Sequence, residues 1–401
     1  MLNSRPSACS GLQQALRGAA KPSVMSGIQP TGVMHLGNYY GAVRNWVEMQ
    51  RVMSADYPDS TELYLSVVDL HAWSATTVPR PAEVRNATMR TAALVLAAGI
   101  DPDKSTLFLQ SHVPAHSELS WLLQCFSPHK SLMHMPQFNE KSAKHQPKHG
   151  MKRQTRVSSA LLTYPVLQAA DILLYDATHV PVGEDQIPHI DLTRDLAVRI
   201  NSFAEQCDRF DDRADGPPHL LLDMEKQDPV FVVPEAVVLG DARIMSLQNG
   251  GSKMSKTDPS IKATITLLDD DDTIAKKIRK AKTDFDMTVR YDRANAPEVS
   301  NLVNMLHYAS GMPIDDIVGT YETMEPEMRY RALKADLIDA ILAELRPLRQ
   351  RYTELYNDPA YLQQALQKGQ HAACEKAETT LARVRDALGL VPSADFLHTP
   401  V

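Results

Sequence analysis

The chain predicts an α/β fold, a doubly wound parallel sheet followed by a helical C-terminal region. Three observations carry this. Short apolar runs at Ser23–Ile28, Leu63–Val68 and Ser105–Gln110 alternate with stretches of helical pattern. A glycine-bearing turn separates the first run from its helix. After about Ile261 the strand signals fade, and leucines and isoleucines recur at helical spacing.

Each element follows in order. Ser23–Ile28 runs into the turn GIQPTG, and a helix is predicted over about Leu36–Met53, with Trp46, Val47 and Val52 among its apolar positions. Leu63, Leu65, Val67 and Val68 form a second strand ending in DLHAW. A helix over about Pro81–Ala98 precedes the third strand, STLFLQ. Ligands of wound sheets lie beyond the carboxyl ends of the strands, so the turns at Gln29, Asp69 and Gln110 are the places to look. Ser117–Cys125 reads as helix. The polar segment Gln137–Arg156, broken by Pro147 and Gly150, reads as a mobile loop. Helix returns at Leu161–Tyr175, and HVPVGEDQ reads as strand and loop. Asp208–Pro218 suggests a surface insertion. Leu333, Leu337, Ile341, Leu345 and Leu348 mark a helix that Pro347 is expected to kink or end.

Composition narrows the classes. The 401 residues are 43% hydrophobic and 23% charged, which suits a globular protein of about two domains. No stretch reaches the roughly 18 apolar residues of a membrane helix. A net charge of −7 argues against a uniformly basic surface, though a local basic stripe is enough to meet phosphates. The four cysteines form no CxxC pair and read as reduced thiols. His112 with His116, and His145 with His149, have helical spacing but no accompanying Cys pair or HExxH, so no metal site is expected. Residues 1–22 carry Arg5, Arg17 and Lys21, and the first acid in the chain is Glu48. That composition matches a mitochondrial transit peptide and predicts a mitochondrial matrix protein; an ordinary disordered terminus is the alternative.

Two constellations carry chemistry. The first is Pro30-Thr31-Gly32-Val33-Met34-His35-Leu36-Gly37-Asn38, which follows a strand and opens a helix. Unpaired N–H groups at a helix start suit phosphate, and His35 and Asn38 can donate to it. The second is Gly250 to Pro259, in which Lys253 and Lys256 flank Ser255 in a glycine-rich segment. Mobile lysine heads can neutralise a triphosphate. Alone, each segment is a weak signal.

Read together they are specific. HLGN and KMSKT resemble the HxGH and KMSKS motifs of the class I aminoacyl-tRNA synthetases. With SGIQPTG, GNYYGA, VPVGEDQ, GIDPDKSTLFLQS, TYPVLQAADILLY, ARIMSL and ITLLDD, the chain is similar to the tryptophan-specific bacterial and organellar branch from about Val24 onward. The resemblance implies a Rossmann-like fold of the HUP type, divided as 1–22 leader, 23–245 catalytic domain and 246–401 KMSKT loop with a helical anticodon-binding domain. It implies ATP, arriving with Mg²⁺, as a substrate, together with L-tryptophan and tRNA(Trp), and a homodimer without membrane contact.

Residue roles follow from the same resemblance. Gln29, Pro30, Thr31, Gly37 and Asn38 would contact ATP. Gly183, Glu184 and Asp185 would meet its ribose and adenine side, with Ile244 near adenine. Lys253, Met254, Ser255, Lys256 and Thr257 would cover the triphosphate, and Lys141 would assist with pyrophosphate. Lys253, Lys256, Lys141 and His35 would carry the catalytic load. Asp171 would recognise the indole, with Gln29, His71, Gln168, Val180 and Val182 completing the amino-acid pocket. Without the resemblance, Asp171 reads as a helix cap or surface acid. An indole N–H is a donor only, so a buried carboxylate would select for it.

The departures are Thr257 where the motif has serine, Gln168 where many bacterial members have methionine, and a longer, more basic segment carrying Lys144, Lys148, Lys152, Arg153 and Arg156. That segment is a candidate for contact with the tRNA acceptor arm. The run Lys276 to Lys282 is either an exposed helix face or a second RNA contact. A tyrosine-specific relative and an idle RNA-binding protein on the same scaffold are the rival readings.

Overall fold

The computed structural model describes residues 15–16, 21–58, 62–74, 79–143, 158–211, 229–238, 243–255, 258 and 260–391, with the backbone alone at 140–143 and 208–211. Five parallel strands make the sheet: β1 (Val24–Ile28), β2 (Leu63–Val67), β3 (Thr106–Leu109), β4 (His179–Val182) and β5 (Glu235–Val238). Their order is β3-β2-β1-β4-β5. Every residue of β2 and β3 is buried, as expected of strands covered on both faces. The order reverses at β1, so the crevice between β1 and β4 is the switch point.

The helix predicted after β1 forms in three parts: α1 (Leu36–Asn38), a π-helical turn (Tyr39–Val43) and α2 (Arg44–Asp56). The widened turn carries two adjacent phenols to one carboxylate. Tyr39 and Tyr40 hydroxyls donate to Glu344 at 3.2 and 2.8 Å. Trp46 is buried and its indole N–H donates to Ser26 in β1. The remaining helices of this half are α3 (Pro81–Ala97), α4 (Ala115–Phe126), α5 (His129–Met133), α6 (Pro136–Ala143), α7 (Ser159–Leu173) and α8 (Ile187–Asp211).

Two expectations are corrected here. The segment predicted as a loop from Gln137 is helical through Ala143; its remainder, with all five cations from Lys144 to Arg156, lies outside the described residues. Residues 208–211 of the expected insertion belong to α8, and 212–218 likewise lie outside the described residues.

A short antiparallel pair, β6 (Met245–Ser246) and β7 (Asn249–Lys253), leads into the helical region. That region comprises α9 (Asp271–Arg279), α10 (Pro297–Ser310), α11 (Ile314–Glu322), α12 (Pro326–Tyr356) and α13 (Pro359–Ala387). Of the two expected effects of Pro347, an end to the helix is not seen: α12 runs through it. An interior proline costs about 3 kcal/mol, but buried Leu345 and Leu348 on either side pack into the core and hold the helix together.

The last helix returns to the sheet. α13 lies across the edge strand β3, where a Cβ on Gly369 would stand 1.9 Å from the Leu107 carbonyl oxygen. Lys376 and Arg383 of α13 pair with Asp176 at 2.7 and 2.5 Å. Edge strands expose unpaired backbone groups, and this helix covers one such edge. At the other end of the chain, Leu16 is buried in the core and its carbonyl accepts from the Tyr57 hydroxyl at 2.8 Å. Apart from residues 15–16, the expected leader up to residue 20 lies outside the described residues.

Candidate active site

A cavity of about 670 Å³ opens beyond the carboxyl ends of β1 and β4. These strands pair at their amino ends, Val24 opposite His179. Of the predicted residues, Gln29, His35, Gly37, Asn38, His71, Gln168, Asp171, Val180, Val182, Gly183, Glu184, Asp185 and Lys253 line this cavity.

The helix start is built by its own side chains. His35 Nδ1 accepts the Asn38 backbone N–H and Asn38 Oδ1 accepts that of His35, both at 3.3 Å, a reciprocal cap. The cap has a chemical consequence. With Nδ1 committed as acceptor, the ring proton sits on Nε2, which becomes a donor. Gly37 permits this, since a Cβ there would lie 3.0 Å from His35 Cε1.

The second motif hangs from the same region. Lys253 ends β7, and Met254 is buried with its N–H donating to the Ile244 carbonyl at 3.0 Å. Thr264 Oγ1 donates to the Ser255 carbonyl at 2.9 Å. The segment beyond it pairs with the first motif: Leu36 N–H donates to Ile265 and Leu267 N–H to Met34. Hydrogen bonds therefore tie both motifs together at their bases. Pro30, Thr31, Ile244, Met254 and Ser255 do not line the cavity. Pro30, Ile244 and Met254 are buried, so they support the walls instead. Ile244 lies beneath Gly37. Lys256 and Thr257 lie outside the described residues, as does the side chain of Lys141, whose backbone is in α6.

Asp171 is neither a helix cap nor a surface acid. It sits inside α7, 4% exposed, and accepts from Gln110 Nε2 at 2.7 and 2.9 Å, His116 Nδ1 at 2.7 Å and His71 Nε2 at 3.0 Å. Burial pushes its carboxyl up, but the hydrogen bonds from His116 and His71 more than offset this and hold it at about 2. It is an anion ready to accept. Tyr164 and Arg243 also line the cavity. The Tyr164 hydroxyl donates to Gln137 at 2.9 Å and lies 2.8 Å from His189 Nε2, while Arg243 pairs with Glu184 at 3.0 Å.

Sequence reasoning missed several of these residues. Gln110 is marked only as one of the strand-end turns where a ligand is expected, with no role of its own, and His116 only as half of a weak metal pair. Tyr164, Tyr175 and Arg243 carry no assignment, although Arg243 adjoins Ile244 in ARIMSL. Among the described residues no group of three His, Cys, Asp or Glu side chains is placed to hold a metal. None of their helices is long and apolar enough to cross a membrane.

Comparison with known proteins identifies the family. The family described as tRNA synthetases class I (W and Y) matches residues 18–346. A tryptophan–tRNA ligase of Thermosynechococcus vestitus is 44% identical over 368 residues, 91% of this chain and 99% of that one. The crystal structure of tryptophanyl-tRNA synthetase from Mycoplasma pneumoniae superposes with a TM-score of 0.73 at 30% identity, covering 92% of this chain and 98% of that one. The Campylobacter jejuni enzyme, complexed with ADP and tryptophan, gives 0.68 at 28% identity, covering 92% and 100%.

The Asp171 environment has a pH signature. Its folded pKa, about 2, lies below the unfolded value of about 3.9. Its contribution to stability is therefore full above about pH 4 and lost as pH falls toward 2. Asp171→Asn is expected to cost on the order of 3 kcal/mol at neutral pH. In denaturant titrations that deficit should shrink as pH falls from about 4 to about 2; a deficit constant across the window contradicts the assignment.

Proposed function

The chain belongs to the class I tRNA synthetases for tryptophan and tyrosine, and from that premise we propose that it is a tryptophan–tRNA ligase. The buried, ionised Asp171 at the floor of the cavity carries this reading. An indole N–H can donate to such an acceptor, and a side chain without a donor cannot. Relatives named as tryptophan–tRNA ligases support the same choice.

The reaction needs no nucleophile from the protein. A carboxylate oxygen of L-tryptophan attacks the α-phosphorus of ATP and pyrophosphate leaves, giving tryptophanyl-adenylate. A terminal ribose hydroxyl of tRNA(Trp) then attacks the activated carbonyl and AMP leaves. The protein aligns the reactants and stabilises charge that develops on the phosphates. We assign ATP to Gln29, Gly37, Asn38 and the Gly183–Asp185 turn, with His35 Nε2 donating to phosphate, Thr31 reaching the ligand from the cavity's rim, and Pro30 and Ile244 supporting the wall behind it. Lys253 and the rest of the KMSKT segment through Thr257 cover the triphosphate, and Lys141 assists pyrophosphate. Tryptophan lies among Gln29, His71, Gln168, Asp171, Val180 and Val182. Mg²⁺ enters with ATP as part of the substrate. Residues 23–245 form the catalytic unit, and 246–401 the loop and the anticodon-binding helices. Lys144, Lys148, Lys152, Arg153 and Arg156 are assigned to the acceptor arm.

ATP–pyrophosphate exchange tests the reading. It should proceed with tryptophan and not with tyrosine. Lys253→Ala should lower kcat by about 10²–10³-fold and leave the tryptophan KM largely unchanged. Exchange with tyrosine alone, or none with any amino acid, overturns the assignment.

The homodimer has support in exposed apolar side chains. Trp121 of α4 is 66% exposed, Met133 ends α5, and Phe203 of α8 meets Phe126 of α4 edge-on at 5.4 Å. Such residues favour an apolar partner. Sedimentation should give a dimer that Trp121→Glu dissociates; an unchanged dimer places the interface elsewhere.

Matrix delivery is proposed from the acid-free, Arg-bearing terminus. The burial of Leu16 counts against a wholly detachable leader. A fluorescent fusion of residues 1–24 should enter mitochondria; cytosolic fluorescence refutes it.

A further inference from the structure

Two of the three side chains that hold Asp171 lie where no ligand can touch them. Gln110 and His116 are fully buried, and neither they nor Tyr175 line the cavity. We infer that His116 and Tyr175 are specificity-determining positioning residues, which with Gln110 fix Asp171 so that Oδ2 is the oxygen presented to an indole N–H. The inference rests on the proposed role of Asp171.

The argument is a count of donors. A carboxylate offers about four acceptor sites. Gln110 Nε2 stands 2.7 Å from Oδ1 and 2.9 Å from Oδ2, the geometry of one N–H shared between both oxygens. His116 Nδ1 donates to Oδ1 at 2.7 Å and His71 Nε2 to Oδ2 at 3.0 Å. The four contacts fall two on each oxygen. Oδ1 takes the two shortest, both from fully buried groups, whereas Oδ2 holds the two longer ones at 2.9 and 3.0 Å, so Oδ2 is the oxygen an indole N–H can engage. That oxygen is on the side of His71, which lines the cavity.

Each donor is itself fixed. Leu70 N–H donates to Gln110 Oε1 at 3.1 Å, so the amide nitrogen must face Asp171. The Tyr175 hydroxyl lies 2.8 Å from His116 Nε2. Burial, then the nearby Asp171 charge, hold the Tyr175 phenol well above its ordinary pKa, so it keeps a proton to donate. Donation into Nε2 leaves the imidazole proton on Nδ1, facing the carboxylate. Without the hydroxyl the ring can adopt the other tautomer, which sets a lone pair against an anion. Phe108 stacks on the ring at 6.0 Å and holds its plane.

The test compares L-tryptophan with the alanine derivative bearing benzothiophene, in which sulfur replaces the indole N–H. ATP–pyrophosphate exchange with the full chain gives the ratio of kcat/KM for the two. The unaltered protein should prefer tryptophan, by up to about 10⁴-fold. His116→Leu should cut this ratio at least tenfold through the tryptophan KM, with the KM for ATP and for the sulfur analogue unchanged. His116→Asn, which returns an amide N–H near the Nδ1 position, should restore most of it. Tyr175→Phe conserves volume and should give an intermediate loss even where the leucine variant does not fold. A ratio that survives both Tyr175→Phe and a folded His116→Leu overturns the inference alone. No preference in the unaltered protein overturns the Asp171 assignment as well, which separates the two failures.

Discussion

A carboxylate shut away from water must be matched by donors, and Asp171 draws them from three elements besides its own helix. His71 comes from the turn after β2, Gln110 from the end of β3 and His116 from α4. A buried charge without such partners is strongly destabilising. The need to satisfy this one group therefore sets how the strand ends and two helices meet. Much of the polar architecture below the cavity reads as its consequence. The Gln110 amide is oriented by Leu70, the His116 ring by Tyr175, and the Gln29 amide donates to the His71 carbonyl at 2.7 Å. The site that recognises and the frame that supports it are one hydrogen-bond network.

The phosphate side follows a different logic. His35 and Asn38 satisfy each other and so present a fixed helix start, whereas Lys253 stands at the end of a short antiparallel pair. The backbone bonds from Leu36 to Ile265 and from Leu267 to Met34 join the two supports. A rigid donor and a long flexible cation thus share a foundation. Such an arrangement suits a reaction in which the leaving pyrophosphate moves while the α-phosphorus stays placed.

The sheet, its order of helices and the two motifs were readable because apolar runs, glycine turns and helical spacing are local signals. Asp171 was readable only through resemblance, since nothing in AADILLY says the acid faces inward. Gln110, His116 and Tyr175 were not readable as a group. They lie up to 65 residues apart in the chain and meet only when β3, α4 and α7 pack. That α12 continues through Pro347 was hidden for a related reason: the proline's local penalty is legible, and the packing of Leu345 and Leu348 that outweighs it is not. The helix at Pro136–Ala143 was hidden by its polar composition.

The contact of Gly369 with the Leu107 carbonyl also orders the protein's birth. The edge of β3 is covered by a helix made some 260 residues later. During synthesis the growing sheet presents that edge bare until the C-terminal helix leaves the ribosome. An exposed edge strand is a template for pairing with other chains. This protein is therefore most vulnerable to aggregation while nascent, and a chaperone that shelters the early sheet would act before any part of the adenylation site is tested by substrate.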